Sequence, residues 1–597
     1  MLLALIALAS SFLFGYEIAK KLFDVELFAP SLLIGTLAFS WLVFIASLVL
    51  GFNSNLVLAA SILLVVLVYA ISRKAKGFAF SHLKIFSRDS FAVFLVSFLL
   101  IGYSSMLAID QSDGLASASW DTAFHLGIIS SISQGNFPPA YPNLSSELLS
   151  YYYFLHLFAS SLVTGGLSTI FAYQLVQTLL IVSFLAGFYV LAREILGSRL
   201  FAFISVALLF FASPCTGCQM GGSAFLSVFS PQIGSAALGM ASKGFPFGPT
   251  PITLAFIQFT TAFALLFLVV FIRLLSSSRK NRLYEAAVLL GILPMFNAFF
   301  FAAFFVMFGF LTIARKYDPR PLVLAAIISI PQFLIMLSQK TAGIMQYFRF
   351  ELYGGNAPND LLLFWLQNAG VHIALAAIGV IILRKISRDF AILSLGALAL
   401  FIFGNFFRIA PYELEASKLF LPFLAIACIY AAGALASFVQ KGAALRLLAI
   451  AIIAIGLISS YNQFFIYLSP GSVHAPVSLG GKSVVSACEW ASQNTPKNST
   501  FIADPAAENS ACIYAIAGRR AFLSIPYFVA THGFDEAKYA QIQSSILGGD
   551  LDLAKTNGIT HIFSAGGLEG KISDNLRRNL EKIYSSGGTS IYLIRPA

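Results

Sequence analysis

The chain is dominated by continuous apolar runs, most of them about 20 residues long, with short polar segments between them. A helix of that length crosses ~30 Å of hydrocarbon. The runs lack the alternation of a barrel strand, so the spans are predicted to be helices. Counting them predicts a polytopic α-helical membrane protein with about 13 to 14 hydrophobic helices. The first run is apolar from Met1 to Ala9 and lacks a basic n-region, which predicts a first span rather than a cleaved signal peptide.

Lysine and arginine lie mainly between the apolar runs and predict the orientation of the spans. The hydrophobic stretches between successive basic clusters leave one side of the membrane and return to the same side, so all the basic clusters can be cytoplasmic. The clusters are Lys20/Lys21, Arg73/Lys74/Lys76/Lys84/Arg88, Arg193/Arg199, Arg279/Lys280/Arg282, Arg315/Lys316/Arg320, Arg384/Lys385/Arg388 and Lys441/Arg446. Residues 283–314 have basic flanks at both ends, and Pro294 and Asn297 predict a break there into two short helices.

From about residue 470 the composition becomes that of an ordinary soluble sequence. Residues 483–494 are predicted to form a helix, and 500–503, 559–564 and 590–594 to form strands of a small α/β domain. We predict three units: added N-terminal membrane helices (1–89), a transmembrane module (90–468) with an outer loop (110–168), and an extracytoplasmic α/β domain (469–597). The chain is thus predicted to be a multi-pass membrane protein whose outer side carries this domain.

Composition and charge exclude several classes of protein. Hydrophobic residues make up 58% of the chain and charged residues 11%, compared with about 25% charged residues in a soluble domain. The net charge of +11 lies mostly in loops at span ends, which fits membrane orientation and not nucleic-acid binding. Cys488 and Cys512 both fall in the outer domain, where a disulfide is permissible. Cys215 and Cys218 form a lone CxxC without further soft ligands nearby, which favours a local disulfide or two free thiols over a metal site.

Candidate chemistry is concentrated in the outer segment 110–168, which contains no lysine or arginine. Asp121 and His125 are four residues apart and share one face if 120–133 is a helix. Asp121 could take a proton from an acceptor hydroxyl or, with His125, hold a divalent cation. Its place near a helix N-terminus equally suits a simple capping role, which stays open. The apolar stripe of this helix is predicted to lie in the membrane interface; it comprises Trp120, Phe124, Ile128, Ile129 and Ile132.

Other polar groups of this segment have competing interpretations. Asp110 and Asp113 mark the end of a span, where a solvated turn competes with metal binding. The three residues 151–153 are tyrosines, which predicts an aromatic belt at the membrane surface, with Tyr152 as a candidate supporting residue. His156 is a candidate for holding a phosphate or a sugar.

Basic residues predicted on the outer side run against the positive-inside bias. Binding of an anionic phosphate would explain them, and snorkelling from a helix end is the alternative. Arg408 and Lys418 flank the segment RIAPYELEASK, in which Glu413 and Glu415 could pair with them. The predicted site has Asp121 activating an acceptor while the basic pair stabilises a leaving lipid phosphate. The outer basic residues outside the C-terminal domain are Lys243, Lys340, Arg349, Arg408 and Lys418.

Three segments resemble the GT-C superfamily of integral-membrane glycosyltransferases. WDTAFHLGIISSISQGNFPPAYPNLSSELLSYYYFLHLFASSL is similar to their first outer loop, and GNFFRIAPYELEASKLFLP to a late loop. ACEWASQNTPKNSTFIADP with AGRRAFL is similar to the soluble domain of related proteins. The resemblance implies a GT-C-like fold and a polyprenyl- or dolichyl-phosphate-linked sugar as donor. It also implies that Asp121 is the catalytic base or metal ligand and that Lys418 binds phosphate with support from Arg408.

Two departures and two rival functions accompany the resemblance. Asn297 stands in LPMFNAFF where relatives often carry a histidine, and AYP after Pro138/Pro139 lacks a frequent acidic residue. A divalent cation, Mg²⁺ or Mn²⁺, and a glycan, lipid or protein acceptor are therefore open expectations. A non-catalytic lipid- or glycan-binding protein of the same fold is one alternative, because fold does not fix function. A transporter is the other, although transporters place ionisable residues near span centres, which the charges here avoid.

Overall fold

The computed structural model describes residues 1–74, 85–107, 114–116, 120–211, 258–338, 348–353, 358–383, 386–409, 414–454, 478–504 and 508–595. The backbones of Asp121 and Glu415 are included in these ranges, but their side chains are not described. Several residues singled out above lie outside the described residues: Asp110, Asp113, Cys215, Cys218, Lys243, Lys340 and Glu413.

The first part of the chain is a helical bundle. Its helices are α1 (Leu2–Leu22), α2 (Phe28–Leu50), α3 (Ser54–Lys74), α4 (Arg88–Leu107), α5 (Trp120–Ser133), α6 (Phe154–Thr164), α7 (Thr169–Leu196), α8 (Arg199–Phe211), α9 (Phe259–Ser276), α10 (Arg282–Gly291), α11 (Ala298–Arg315), α12 (Arg320–Ser338), α13 (Pro358–Ile382), α14 (Arg388–Phe406), α15 (Leu414–Ser417), α16 (Leu421–Gln440) and α17 (Ala443–Ala454). Within the described ranges, nine of these helices are long and apolar enough to cross a membrane. The predicted polytopic helical architecture is therefore confirmed.

The predicted break between two helices is confirmed at residues 292–297. Helix α10 ends at Gly291 and α11 begins at Ala298, with the side chain of Asn297 accepting a hydrogen bond from the Phe300 amide at 3.2 Å. Hydrocarbon offers no partners to exposed backbone, so an interruption at this depth needs side chains that bind it. The Gln332 amide of α12 donates to the Gly291 carbonyl at 2.5 Å and accepts from the Met295 amide at 3.2 Å.

Ion pairs at helix termini define one end of the bundle. Arg273, near the end of α9, contacts Glu194, near the end of α7, at 2.8 Å. Arg282, at the start of α10, contacts Asp389, at the start of α14, at 2.7 Å. Only the short connection 277–281 separates α9 from α10, so both pairs lie at the same end. The first turn of α7 and the last turn of α14 consequently lie at the opposite end.

The C-terminal part is the α/β domain that the sequence predicts. Strands β5 (Thr500–Ile502), β6 (Arg520–Ala521), β7 (His561–Ala565), β8 (Leu580–Ser586) and β9 (Thr589–Ile594) form one sheet in the order β6-β5-β7-β9-β8. The first three are parallel, and β9 is antiparallel to β7 and β8. The helices are α18 (Lys482–Asn494), α19 (Cys512–Ala515), α20 (Pro526–Thr531), α21 (Glu536–Leu547), α22 (Leu551–Thr556) and α23 (Asp574–Arg578), with short 3₁₀ turns at Glu508–Ala511 and Leu568–Lys571. A disulfide joins Cys488 of α18 to Cys512 of α19, whose Cα atoms are 6.0 Å apart.

Two pairs of short strands connect segments that are distant in sequence. Strand β1 (Gly114–Ala116), which precedes α5, pairs antiparallel with β4 (Ser478–Gly481), which opens the C-terminal domain. Strand β2 (Arg349–Phe350) pairs antiparallel with β3 (Phe407–Arg408), at the end of α14. The first pair attaches the C-terminal domain to the segment before α5, and the second joins two outer loops of the predicted membrane module.

Candidate functional site

Helix α5 forms where the sequence predicts it and carries Asp121 as its second residue. The interfacial position expected for its apolar stripe is wrong for the four stripe residues whose side chains the structure describes, which leaves out Trp120. Phe124, Ile128, Ile129 and Ile132 are each at most 1% exposed, because α6, α7 and α19 cover the helix. Periodicity identifies an apolar face but does not say whether lipid or protein covers it. The helix that carries the predicted carboxylate is therefore part of the protein core.

Close packing of the C-terminal domain onto α5 depends on a glycine. A Cβ at Gly127 would lie 2.5 Å from the ring of Tyr514 and 3.0 Å from Pro142, so a side chain does not fit. One turn further, the Ser130 hydroxyl donates to the Ala515 carbonyl at 2.7 Å. The segment that carries Asp121 is thus held by the membrane helices on one side and by the C-terminal domain on the other.

His125, one turn after Asp121, forms a buried pair with His156. Nδ1 of His125 and Nε2 of His156 are 2.7 Å apart, and both residues are 0% exposed. One ring must donate and the other accept, which fixes the tautomer of the two imidazoles relative to each other. His156, predicted to bind the donor phosphate, thus lies in the interior with this nitrogen engaged by His125. Its placement suits positioning of the His125 ring, and its phosphate contact remains a prediction.

The aromatic belt predicted for residues 151–153 is wrong for at least two of them, because Tyr152 and Tyr153 are 5% and 1% exposed. The rings of Tyr151 and Tyr152 stack with their centroids 4.0 Å apart. Tyr151 also contacts both histidines, with its ring centroid 6.2 Å from that of His125 and 5.9 Å from that of His156. Tyr152 and Tyr153 are therefore interior side chains, and Tyr151 packs between Tyr152 and the histidine pair.

Lys418 lies on the far side of these tyrosines. Its ammonium donates a hydrogen bond to the Tyr152 hydroxyl at 3.3 Å and lies 5.2 Å from the ring centroid of Phe299. The lysine is 3% exposed. Phe299 is the second residue of α11, so the helix break directly precedes the ring that contacts Lys418. A continuous row of contacts thus runs from His125 on α5 through both tyrosines to Lys418.

Arg408 has a partner that the sequence analysis did not identify. It pairs with Glu351 at 3.1 Å, and Glu351 also pairs with Arg349 at 2.5 Å. The hydrogen bond from Arg349, together with the charge of Arg408, holds the pKa of the Glu351 carboxyl below its usual value. Arg349 and Glu351 are two residues apart in a segment that was predicted to be outer, and this closeness was the available sequence signal. The β2–β3 pairing brings that segment to Arg408.

His532 is a further residue that sequence reasoning missed. It follows α20 in the C-terminal domain, and its ring centroid lies 5.4 Å from that of Phe124 and 6.4 Å from that of Tyr151. The C-terminal domain thus contributes an imidazole beside Tyr151. Its sequence context offers no motif that could have placed it there.

A metal centre would be built around α5. In the described part of the chain, no three His, Cys, Asp or Glu side chains are grouped as metal ligands. Asp121 and His125, one turn apart on α5, stay the predicted ligands of a divalent cation. Carboxylate oxygen is the ligand that Mg²⁺ and Mn²⁺ prefer.

Comparison with known proteins gives structural neighbours but no sequence relatives. No family model matches the chain, and no curated protein matches it. The oligosaccharyltransferase of Archaeoglobus fulgidus, solved with a tethered acceptor peptide, aligns with 80% of this chain and 69% of its own at 13% identity and a TM-score of 0.46. The same enzyme in complex with Zn and sulfate aligns at 14% identity and a TM-score of 0.44, over 79% of this chain and 67% of its own.

ArnT from Cupriavidus metallidurans in the apo state aligns with 84% of this chain and 98% of its own, at 10% identity and a TM-score of 0.48. These neighbours are GT-C membrane glycosyltransferases, the superfamily that the sequence resembles. With TM-scores below 0.5 the likeness is one of general layout. The function proposed below therefore rests on the residues of this chain.

Proposed function

We propose that the protein is a glycosyltransferase that moves a sugar from a polyprenyl- or dolichyl-phosphate carrier to an acceptor on the non-cytoplasmic face of the membrane. The observation that carries this proposal is the row of contacts from α5 to Lys418. It joins the helix of Asp121, a candidate base, to a buried cation through the histidine pair and the two stacked tyrosines. A base for the acceptor and a cation for the leaving phosphate are what a displacement at a sugar phosphate requires.

In the proposed reaction, the carboxylate of Asp121 accepts the proton of an acceptor O–H or N–H group. The acceptor atom then forms a bond to the anomeric carbon, while the bond from that carbon to the carrier phosphate breaks. The phosphate leaves with the bonding electron pair, and the ammonium of Lys418 stabilises its charge with support from Arg408. A single displacement of this kind inverts the anomeric centre. Where a divalent cation binds at Asp121 and His125, it would orient the acceptor and the phosphate.

Tyr152 and His125 have positioning roles in this scheme. The Tyr152 hydroxyl accepts a hydrogen bond from the Lys418 ammonium and so restricts where that charge is held. His125 is fixed in orientation by His156 and lies one turn after Asp121 on the same helix. The side chains of His125, Tyr152 and Lys418 are all buried. Their burial lowers the local dielectric constant, which strengthens the interaction of Lys418 with a phosphate.

The first alternative to a glycosyltransferase is a transporter, and the positions of ionisable groups in the described spans bear on it directly. Ionisable groups within the described spans lie mostly at helix ends, as Glu17, Arg273 and Asp389 do. His372, which is 7% exposed, is an exception near the middle of α13. A substrate pathway through the membrane would need several such groups in succession. A non-catalytic relative of the same fold is the second alternative, and only an activity measurement separates it from the enzyme.

The test is turnover by the purified full-length protein in lipid, with a panel of radiolabelled polyprenyl-phosphate sugars and both hydroxyl and amide acceptors. Consumption of one donor by the wild type supports the proposal. Asp121→Asn is expected to lower kcat by about 10²–10⁴-fold through loss of the base. Lys418→Met is expected to lower it by about 10²–10³-fold through loss of charge stabilisation in the transition state.

Lys441→Met is the matched control for the lysine variant. Lys441 follows α16 at the other end of that helix from Lys418, so its loss should leave turnover unchanged. Binding of a donor without turnover would favour the non-catalytic alternative. If the wild type neither binds nor consumes any donor of the panel, the assignment as a glycosyltransferase is wrong.

A further inference from the structure

A cavity of about 420 Å³ lies near the end of α7 that is remote from the candidate site. Tyr173, whose ring stacks on that of His125, is in the second turn of α7, and Arg193 follows it by twenty residues. That length of helix extends about 30 Å, which is the thickness of the hydrocarbon. The cavity is therefore at the opposite surface of the membrane from the candidate site. It is lined by Val25 and Glu26 between α1 and α2, Phe86 and Ser87 before α4, and Val190, Arg193 and Glu194 of α7.

One carboxylate of the cavity, that of Glu194, is already balanced by a cation. Arg273, which is buried, donates to its two oxygens at 2.8 and 3.1 Å. The same guanidinium donates to the carbonyls of Val25 and Glu26, each at 3.4 Å. This ion pair thus forms a fixed wall of the cavity, because Arg273 ties the end of α7 to the connection between α1 and α2.

The other carboxylate, that of Glu26, is held by hydrogen bonds from neutral groups. Its Oε2 accepts from the Ser87 amide at 2.9 Å and from the Ser90 hydroxyl at 2.5 Å. Among the residues that the structure describes, no lysine or arginine is at ion-pair distance from this carboxylate. Glu26 therefore brings an oriented negative charge to the cavity, and no side chain balances it there.

Arg193 brings the opposite charge. It is half-buried and, within the described ranges, makes no ion pair. Glu194, the next residue, is balanced as described above, and Asp89, close to the same part of α7, pairs with Arg199 at 3.1 Å. A partly buried charge is most stable with a partner of the opposite sign. Arg193 and Glu26 are therefore complementary to a ligand that carries a negative and a positive group.

The apolar wall of the cavity leads onto a surface that is open to lipid. The ring of Phe86 packs against that of Phe91, the fourth residue of α4, with the centroids 5.6 Å apart. Phe91, Leu95 and Phe98 are exposed and are spaced by four and three residues, so they share one face of α4. Acyl chains cover a face of this kind in a membrane. A ligand with its charged groups in the cavity therefore has a path for its apolar part along α4.

We infer that the cavity binds the headgroup of a zwitterionic phospholipid, with a primary ammonium on Glu26, the phosphate on Arg193 and the acyl chains along α4. A primary ammonium donates three hydrogen bonds and so suits an oriented carboxylate, whereas a quaternary ammonium has no N–H to donate. Phosphatidylethanolamine combines the two required groups. Phosphatidylcholine lacks the N–H donors, and phosphatidylglycerol lacks the cation. The inference does not rest on the proposed function, because the cavity and the candidate site are at opposite surfaces.

The test is native mass spectrometry of the purified full-length protein, titrated with these three phospholipids carrying identical acyl chains. The wild type should bind phosphatidylethanolamine about tenfold more tightly than either of the others, equivalent to about 1.4 kcal/mol. Such a preference distinguishes a site from bulk lipid, which covers a membrane protein whatever its headgroup.

Two variants address the two charges separately. Arg193→Gln and Glu26→Gln should each remove the preference for phosphatidylethanolamine. In Glu26→Gln the amide oxygen can still accept from the Ser87 amide, so the start of α4 keeps this contact. Arg199→Gln is the matched control, since Arg199 is at the same end of the bundle but pairs with Asp89 and does not line the cavity. It should leave the preference unchanged.

Three results would overturn the inference. Equal binding of the three lipids by the wild type, or tighter binding of phosphatidylglycerol, would show that the cavity does not select a zwitterion. A preference that persists in Arg193→Gln would show that the phosphate does not contact this arginine. Displacement of phosphatidylethanolamine by an equal concentration of glycerophosphoethanolamine would show that the acyl chains contribute nothing and that the ligand is a soluble zwitterion.

Discussion

The interruption between α10 and α11 provides a stability prediction that does not depend on any activity. Gln332 is 0% exposed and bridges the two sides of the break, donating to the Gly291 carbonyl and accepting from the Met295 amide. The substitution Gln332→Met keeps the length and much of the volume of the side chain but removes both polar groups. The two backbone groups then lose this partner inside an apolar environment.

The expected cost follows from these two contacts. A buried polar group left without its partner costs about 1–3 kcal/mol in soluble proteins. Polar contacts within membranes contribute less on average, about 0.6 kcal/mol each, because the unfolded chain in the membrane finds other partners. For two backbone groups we therefore expect Gln332→Met to lower the free energy of unfolding by about 1–4 kcal/mol.

The assay is unfolding of the purified protein in mixed micelles with increasing sodium dodecyl sulfate. Ser329→Ala, one turn earlier on α12, is the matched control. Ser329 is also buried, but its hydroxyl donates only to the Ala326 carbonyl of its own helix. Its loss should cost less than about 0.5 kcal/mol, because the helix carbonyl keeps its backbone partner. Equal midpoints for Gln332→Met and the wild type would refute the view that Gln332 stabilises the break.

Three further predictions concern the C-terminal domain. Burial, with the charge of a nearby arginine, lowers the pKa of His561 from 6.5 to about 4. The contribution of His561 to stability should therefore be complete above pH 6.5 and fall by up to about 3 kcal/mol towards pH 4. Amide exchange of β7 measures this fall, and His561→Gln should abolish this pH dependence. Replacing Cys488 and Cys512 by serine should cost about 3 kcal/mol, because their disulfide closes a loop of 24 residues; unchanged thermal unfolding would contradict this. Tyr539→Phe removes a 2.9 Å hydrogen bond to Glu147 and should weaken docking of α21 by about 1–2 kcal/mol, seen as faster amide exchange.

Elements governed by local sequence could be predicted well. The bounds of α5 and the position of the break at 292–297 agree with the sequence analysis, because helix periodicity and Pro294 and Asn297 act over a few residues. The disulfide could be proposed because both cysteines belong to one domain, which the sequence predicts to lie on the outer side. Asp121, by contrast, stays a predicted base, since its backbone lies where expected but its side chain is not described.

Contacts between distant segments could not be predicted in the same way. His125 and His156 are 31 residues apart, and no spacing rule relates them. Glu413 and Glu415 were offered as partners of Arg408, and pairing with them stays a prediction because neither side chain is among the described ones. The described partner, Glu351, comes from another segment through the β2–β3 pairing. The pairing of two strands of two residues each carries too little sequence pattern to be detected.

The position of the C-terminal domain has a consequence for how the site is assembled. The segment between α5 and α6 has backbone hydrogen bonds to this domain: the Ser145 amide donates to the Ala521 carbonyl at 2.9 Å, and the Ser524 amide to the Asn143 carbonyl at 3.0 Å. The same segment ends in the tyrosines that contact Lys418 and the histidine pair. Its buried amides and carbonyls need partners, and the domain supplies two of them. Because one surface both docks the domain and leads into the tyrosines, a substitution that loosens docking should also displace Tyr152 from Lys418, so the domain is a structural part of the site.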